Sequence, residues 1–157
     1  MVLEFQRTGQ LLGNIVILIV LKNAPLVCRR FLKLCSNPQR SYQNCLVHKI
    51  ISGIYMEAGI IDSENSDCFD SCTKFEPYNS IVTYNHKGSV SMIVDSNGSI
   101  NSRLNVSFKP LQILNESRVV FGRVIKGFDV LNSIDSQGTN FGVPQKTVFI
   151  SKSRVFL

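Results

Sequence analysis

The chain has no tryptophan and only two histidines among its 157 residues. Those histidines, His48 and His86, follow no zinc-finger spacing. The five cysteines hold one close pair, Cys68 and Cys72 in "CFDSC", whereas a zinc knuckle needs two such pairs. No metal and no cofactor is therefore expected. Cys28, Cys35 and Cys45 are scattered among apolar residues, and an odd count leaves at least one thiol free, which fits a reducing compartment. Long hydrophobic runs are missing as well. The longest, "IVILIVL" at 15–21, is far too short to cross a bilayer and is followed by Lys22, so no membrane span is expected. The N-terminal "MVLEFQRTGQ" has no apolar stretch behind a basic start, so no signal peptide is expected and a cytoplasmic place, or an organelle reached without a leader, follows. Without a secretory route, the sequons at Asn97, Asn105 and Asn115 read as chance matches.

What is present is the composition of an ordinary globular protein. At 44% hydrophobic and 18% charged residues, it is neither disordered nor collagenous. A chain of this length makes about one domain and buries roughly two-thirds of its unfolded surface, so a single domain over 1–157 is expected. The net charge of +6 is modest. Its densest cluster, Arg29, Arg30, Lys33 and Arg40, has no interleaved aromatics and no RNA-binding motif. It reads as a solvated helix face, and nucleic acid is not an expected partner.

No repeat or low-complexity tract appears along the chain. "VLEFQ" reads as a strand, "RTGQLLG" as a turn and "NIVILIVL" as a second strand. Pro25 is placed for the first turn of a helix whose apolar face is Val27, Phe31, Leu34 and Cys35. "CLVHKII" and "IYMEAG" are short strands bent at Ser52 and Gly53. Residues 60–88 are polar and irregular, a long surface loop of the kind that carries function. "SVSMIV" is a strand, "DSNGSINS" a loop with a turn at Asn97–Gly98, and "RLNVSF" and "RVVFGRVI" are strands. Gly127 opens a short helix with Phe128, Leu131 and Ile134 on one face. Phe121, Val124 and Phe128 are expected in the core, and "KTVFISKS" closes the chain as a strand. The count is about eight strands and two helices without regular alternation. A mainly β fold follows: a closed eight-stranded antiparallel barrel capped by two helices, since closure removes exposed edges.

The same stretches, "NAPLVCRRFLKLC", "VHKIISGIYMEAG", "KGSVSM" and above all "VVFGRVIKGFDVLNSI" at 119–134, resemble the cyclophilins, the peptidyl-prolyl isomerase family. The resemblance runs from Val2 to Leu157 and implies the barrel just described. It also implies a chemistry. An X-Pro bond turns slowly, over a barrier of about 18–20 kcal/mol, because resonance makes C–N partly double. A cyclophilin stabilises the twisted imide with one arginine and an apolar proline pocket, with no covalent intermediate and no metal.

Set on that pattern, the groove positions are altered. The family arginine, in "FHR", falls on Lys49, which keeps the charge but loses the planar fork. The aromatic and methionine of "PGFM" become Ile54 and Tyr55, and the glutamine of "IQGG" becomes Glu57. The alanine and asparagine of "SMAN" become Ile93 and Val94, and the isoleucine would crowd the groove. The phenylalanine of the pocket floor falls on Asn105, the tryptophan on Ile113 and the histidine before "VVFG" on Arg118. Leu114 keeps its residue type. Losing the arginine geometry and the apolar floor would each cost about 1–3 kcal/mol of transition-state stabilisation.

The expectation is thus a catalytically degenerate cyclophilin-like domain, a protein-binding or structural module in a larger assembly, whose partners are proteins, including proline-containing peptides. The alternative is a weakly active isomerase using Lys49 in place of the arginine; a nucleic-acid-associated role is the weakest. Cyclosporin binding, which uses the same groove, should be weak or absent. His48 is expected to be a structural hydrogen-bonding residue, Tyr55 to fill space beside Ile54, and Lys49 and Glu57 to form an ion pair across the hairpin.

Overall fold

Residues alternate along the first strand of the computed structural model, β1 (Val2–Arg7): Leu3 and Phe5 point into the core and Glu4 and Gln6 point away. Residues 1–22, 24–61, 86–94, 100–111 and 118–156 are described. The expected loop function of 60–88, the Cys68/Cys72 pair and the Asn97–Gly98 turn therefore lie largely or wholly outside the described residues. After β1 come β2 (Gln10–Ile19), α1 (Pro25–Ser36), β3 (Val47–Ile51), β4 (Tyr55–Ala58) and β5 (Ser89–Val94). β6 (Ile100–Ser107), β7 (Arg118–Lys126), α2 (Phe128–Asp135) and β8 (Val148–Arg154) complete the order.

The eight strands form one sheet in the order β3-β4-β6-β5-β7-β2-β1-β8, with every paired neighbour antiparallel. A single bridge between Leu46 and Phe149 brings the two ends of that order together into a nearly closed barrel. The backbone bonds Asn44 N–H to Ile150 O (2.7 Å) and Ile150 N–H to Cys45 O (2.9 Å) reinforce this seam. Among the described residues, no helix is long and apolar enough to cross a membrane.

α1 begins at Pro25, whose missing N–H costs nothing in a first turn. It packs against β6, β7 and β8, while α2 packs against β2 and β3. Phe31 on α1 is fully buried, its ring 4.7 Å from that of Phe121 and 5.4 Å from that of Tyr42. Burying each such side chain contributes about 1.5–3 kcal/mol. The Tyr42 hydroxyl donates to Ser102 O at 2.9 Å, so its polar end is satisfied inside the core. Between β7 and α2, Gly127 has φ +91°, and a Cβ there would stand 2.2 Å from Asn14 O. Only glycine fits this corner.

Two boundaries and one burial differ from the sequence reading. The turn expected over 7–13 is confined to Thr8 and Gly9, because Gln10–Gly13 already pair with β1. Ile100, Asn101 and Ser102, read as loop, start β6, and Ile100 pairs with Val94. Phe128, expected in the core, is 38% exposed; Val130 takes its place on the buried face of α2 with Leu131 and Ile134. An eight-residue helix turns about 100° per residue, so a strict three-residue spacing drifts off the face it starts on.

Candidate functional site

Directly opposed residues of an antiparallel sheet share a face, and the register lays out one row across five strands. Lys49 of β3 faces Glu57 of β4, Glu57 faces Asn105 of β6, Asn105 faces Ser91 of β5, and Ser91 faces Val120 of β7. The neighbouring row, Met56, Val106 and Val90, points inward and is core. The β3–β4 hairpin is pinned from below: the Gly53 N–H donates to Asp135 Oδ1 of α2 at 2.7 Å, and the Ile54 N–H to Ile51 O at 3.0 Å.

β3 carries an irregularity that matters. Val47 pairs with Ala58 and Lys49 with Glu57, which leaves His48 as an extra residue opposite no one. Such a bulge sets two residues against one and re-aims a side chain. His48 Nε2 accordingly lies 3.6 Å from Glu57 Oε2. From the far side of the row, the Arg118 guanidinium donates to Glu57 Oε1. Glu57 is 5% exposed, so this carboxylate is buried between an imidazole and a guanidinium. Burial pushes its pKa up, but His48, the charges of Arg118 and Lys49 and the Arg118 hydrogen bond outweigh that. The group is held below the usual carboxylate value and stays ionised.

Tyr55 organises the cations. The Arg118 guanidinium lies 4.9 Å from its ring centroid and the Lys49 ammonium 5.5 Å, both within cation–π reach. Tyr55 is 8% exposed and packs with Leu111 and Val120, flanked by the partly buried Ile51 and Ile54. The stem of Lys49 rests on the 139–145 loop, where a Cβ on Gly142 would stand 2.9 Å from Lys49 Cγ. The loop is tied to β3 by Ile50 N–H to Gly142 O (2.8 Å) and Thr139 N–H to Ile50 O (3.2 Å).

The structure therefore brings together Lys49, Tyr55, Glu57 and Arg118 by contact, with Asn105 fully buried beside Glu57 and Ile54 against the Tyr55 cluster. Ile93 sits on β5 opposite Arg118, and Val94 ends that strand opposite Ile100. Ile113 and Leu114 lie outside the described residues. The expected Lys49–Glu57 ion pair does not form: the carboxylate takes Arg118 and His48, and the ammonium lies over Tyr55. Arg118 meets the carboxylate with its planar guanidinium, while the Lys49 chain runs along Gly142 toward the Tyr55 ring.

Sequence reasoning did not single out Ser91, Ser107 or Val120. Ser107 Oγ accepts from the Ser89 N–H at 3.0 Å and donates to His86 O at 3.1 Å, and the Ser89 hydroxyl also reaches His86 O at 2.9 Å. These bonds fix where the chain enters β5. The only signal was polar–apolar alternation in "SVSMIV" and "RLNVSF", which marks a side but not whether that side is covered. Among the described residues no three of His, Cys, Asp and Glu gather as a metal site requires.

Comparison with known proteins agrees with this architecture. Residues 2–155 match the family described as "Cyclophilin type peptidyl-prolyl cis-trans isomerase/CLD". The chain belongs to the cyclophilin family. It is similar to peptidyl-prolyl cis-trans isomerase CYP21-1 of Arabidopsis thaliana, 30% identical over 163 residues that cover 96% of this chain and 72% of that protein. A peptidyl-prolyl cis-trans isomerase of Encephalitozoon cuniculi is 28% identical over 138 residues, covering 86% of this chain and 80% of that protein. The E3 SUMO-protein ligase RanBP2 of Pan troglodytes is 27% identical over 143 residues, which are 89% of this chain but 4% of that protein. The barrel is thus a cyclophilin-type isomerase domain. Its Glu57–Arg118 pair occupies the two positions where the resemblance puts a glutamine and a histidine.

Proposed function

We propose that this cyclophilin domain is a protein-binding module whose groove still meets proline-containing segments but no longer turns their bonds at an enzymatic rate. One observation carries the reading: the guanidinium in the groove, Arg118, is bonded to the buried carboxylate of Glu57. Catalysis of prolyl rotation needs positive charge and hydrogen-bond donors free to meet the twisted imide. A guanidinium that already has an anionic partner offers little net field, and redirecting it would leave Glu57 buried and unpaired. Lys49 brings a compact ammonium in place of a rigid fork, and Asn105 puts an amide where the resemblance wants an apolar floor. The similarity to 4% of a far longer relative supports a role as one domain of an assembly.

A second reading has its own support. Lys49 and Arg118 both keep positive charge against the Tyr55 ring, so weak isomerase activity with Lys49 as the electrophile remains chemically coherent. A protease-coupled assay on an X-Pro peptide separates the two. The module reading expects turnover at the uncatalysed background, unchanged by Lys49→Ala. Turnover well above background that Lys49→Ala abolishes would overturn it in favour of the second reading.

A further inference from the structure

We propose that the groove selects segments carrying an anionic side chain, a carboxylate or a phosphomonoester, beside the proline, with Lys49 as the residue that reads it. The inference rests on the reading of this groove as a peptide-binding surface, and does not depend on whether the bound peptide is turned over.

The charge balance of the cluster is uneven. Lys49 and Arg118 bring positive charge to the Tyr55 ring, and the carboxylate of the cluster, Glu57, is buried and already bonded by Arg118. Among the described residues, no carboxylate lies within ion-pair distance of the Lys49 ammonium. Among the described residues, one positive charge is thus left over at the cluster, and an incoming anion balances it.

Lys49 also differs from an ordinary surface lysine. Its side chain is half-buried, its stem lies on Gly142 and its ammonium rests 5.5 Å from the Tyr55 centroid. A flexible lysine loses rotamer freedom when it captures an anion; one already held in place loses less, and preorganisation of this kind converts directly into affinity. Partial burial raises the attraction further, because less water stands between the charges. The loop beneath it presents Phe141, 93% exposed, and Val143, 71% exposed, as apolar area at the edge of the same site. The fitting ligand is therefore an extended segment pairing an acidic residue with apolar neighbours, and the chain's net charge of +6 favours its approach.

The test is fluorescence anisotropy with dye-labelled Ala-Xaa-Pro-Phe peptides in which Xaa is Glu, Gln, phosphoserine, Ser or Lys. The Glu peptide should bind about fivefold tighter than the Gln peptide at low salt, or the phosphoserine peptide about fivefold tighter than the Ser peptide. Whichever pair separates identifies the anion. The advantage should fade by about 0.5 M salt. Lys49→Met, which keeps the stem, should remove the preference. Lys49→Glu should invert it toward the Lys peptide, a gain that a misfolded variant could not produce. Arg29→Gln, on the exposed face of α1, should leave it intact. Equal binding of charged and neutral peptides, or a preference lost equally with Arg29→Gln, overturns the inference while the binding-module reading stands. Failure of every peptide to bind overturns both.

Discussion

Replacing Glu57 by glutamine isolates the charge of the buried carboxylate while keeping its shape. Removing one partner of a fully buried ion pair costs about 3–5 kcal/mol, chiefly through the charge left behind. Here the Arg118 side chain is 10% exposed, and glutamine retains an oxygen that accepts its hydrogen bond, so a loss of about 1–3 kcal/mol is expected. In a domain of 157 residues each kcal/mol moves Tm by about 2–4 °C, giving a fall of about 2–12 °C at neutral pH. The pH dependence supplies the sharper half of the test. The folded pKa of Glu57 lies below its usual 4.5, so its ionised form stabilises the fold above that value. The contribution begins to disappear as pH falls past 4.5 and is gone below the lowered folded value. Wild type and Glu57→Gln should therefore converge in stability in acid and diverge toward neutral pH. Denaturant melts at several pH values measure this directly. A penalty that is the same in acid as at neutral pH, or absent at both, would refute the account of Glu57 as a charge held between Arg118 and His48.

Gly142→Ala forces a residue with a Cβ into φ +90° and against Lys49 Cγ. A loss of about 1–2 kcal/mol follows from the backbone alone, and a melt should show it together with a shifted Lys49 side-chain resonance by NMR. Cyclosporin should produce little or no thermal shift, because Asn105 lies buried beside Glu57 where the resemblance places a phenylalanine, and the sequence carries Ile113 where it places a tryptophan. A shift of several degrees would refute that placement.

Most of the barrel is legible in the sequence because strands and helices announce themselves locally. Alternation in "VLEFQ" and "SVSMIV", Pro25 ahead of an apolar helical face and Gly127 at a corner each report on a few adjacent residues. The cluster at the groove is a different kind of information. Arg118 and Glu57 are 61 positions apart, and nothing in either stretch reveals the register that brings them together. His48 illustrates the same limit at short range. Strict alternation puts it on the face opposite Lys49, and only the bulge in β3 turns it toward Glu57. Ser91, Asn105 and Ser107 alternate as solvent-facing residues should, yet all are buried. A period of two assigns sides to a strand and says nothing about what lies over them.

The seam between β3 and β8, joined by one bridge and a few backbone bonds, bears on the groove in a further way. The hairpin carrying Lys49, Tyr55 and Glu57 is the terminal pair in the strand order, held on one side by a full ladder to β6 and on the other by this thin closure. The Gly53–Asp135 bond to α2 and the bonds between β3 and the 139–145 loop hold the hairpin besides, so parting the seam alone does not free it. The Glu57–Arg118 pair spans from that hairpin to β7, three strands along the sheet. It ties the outer hairpin to the far side of the row through a side-chain contact as well as through the backbone ladders.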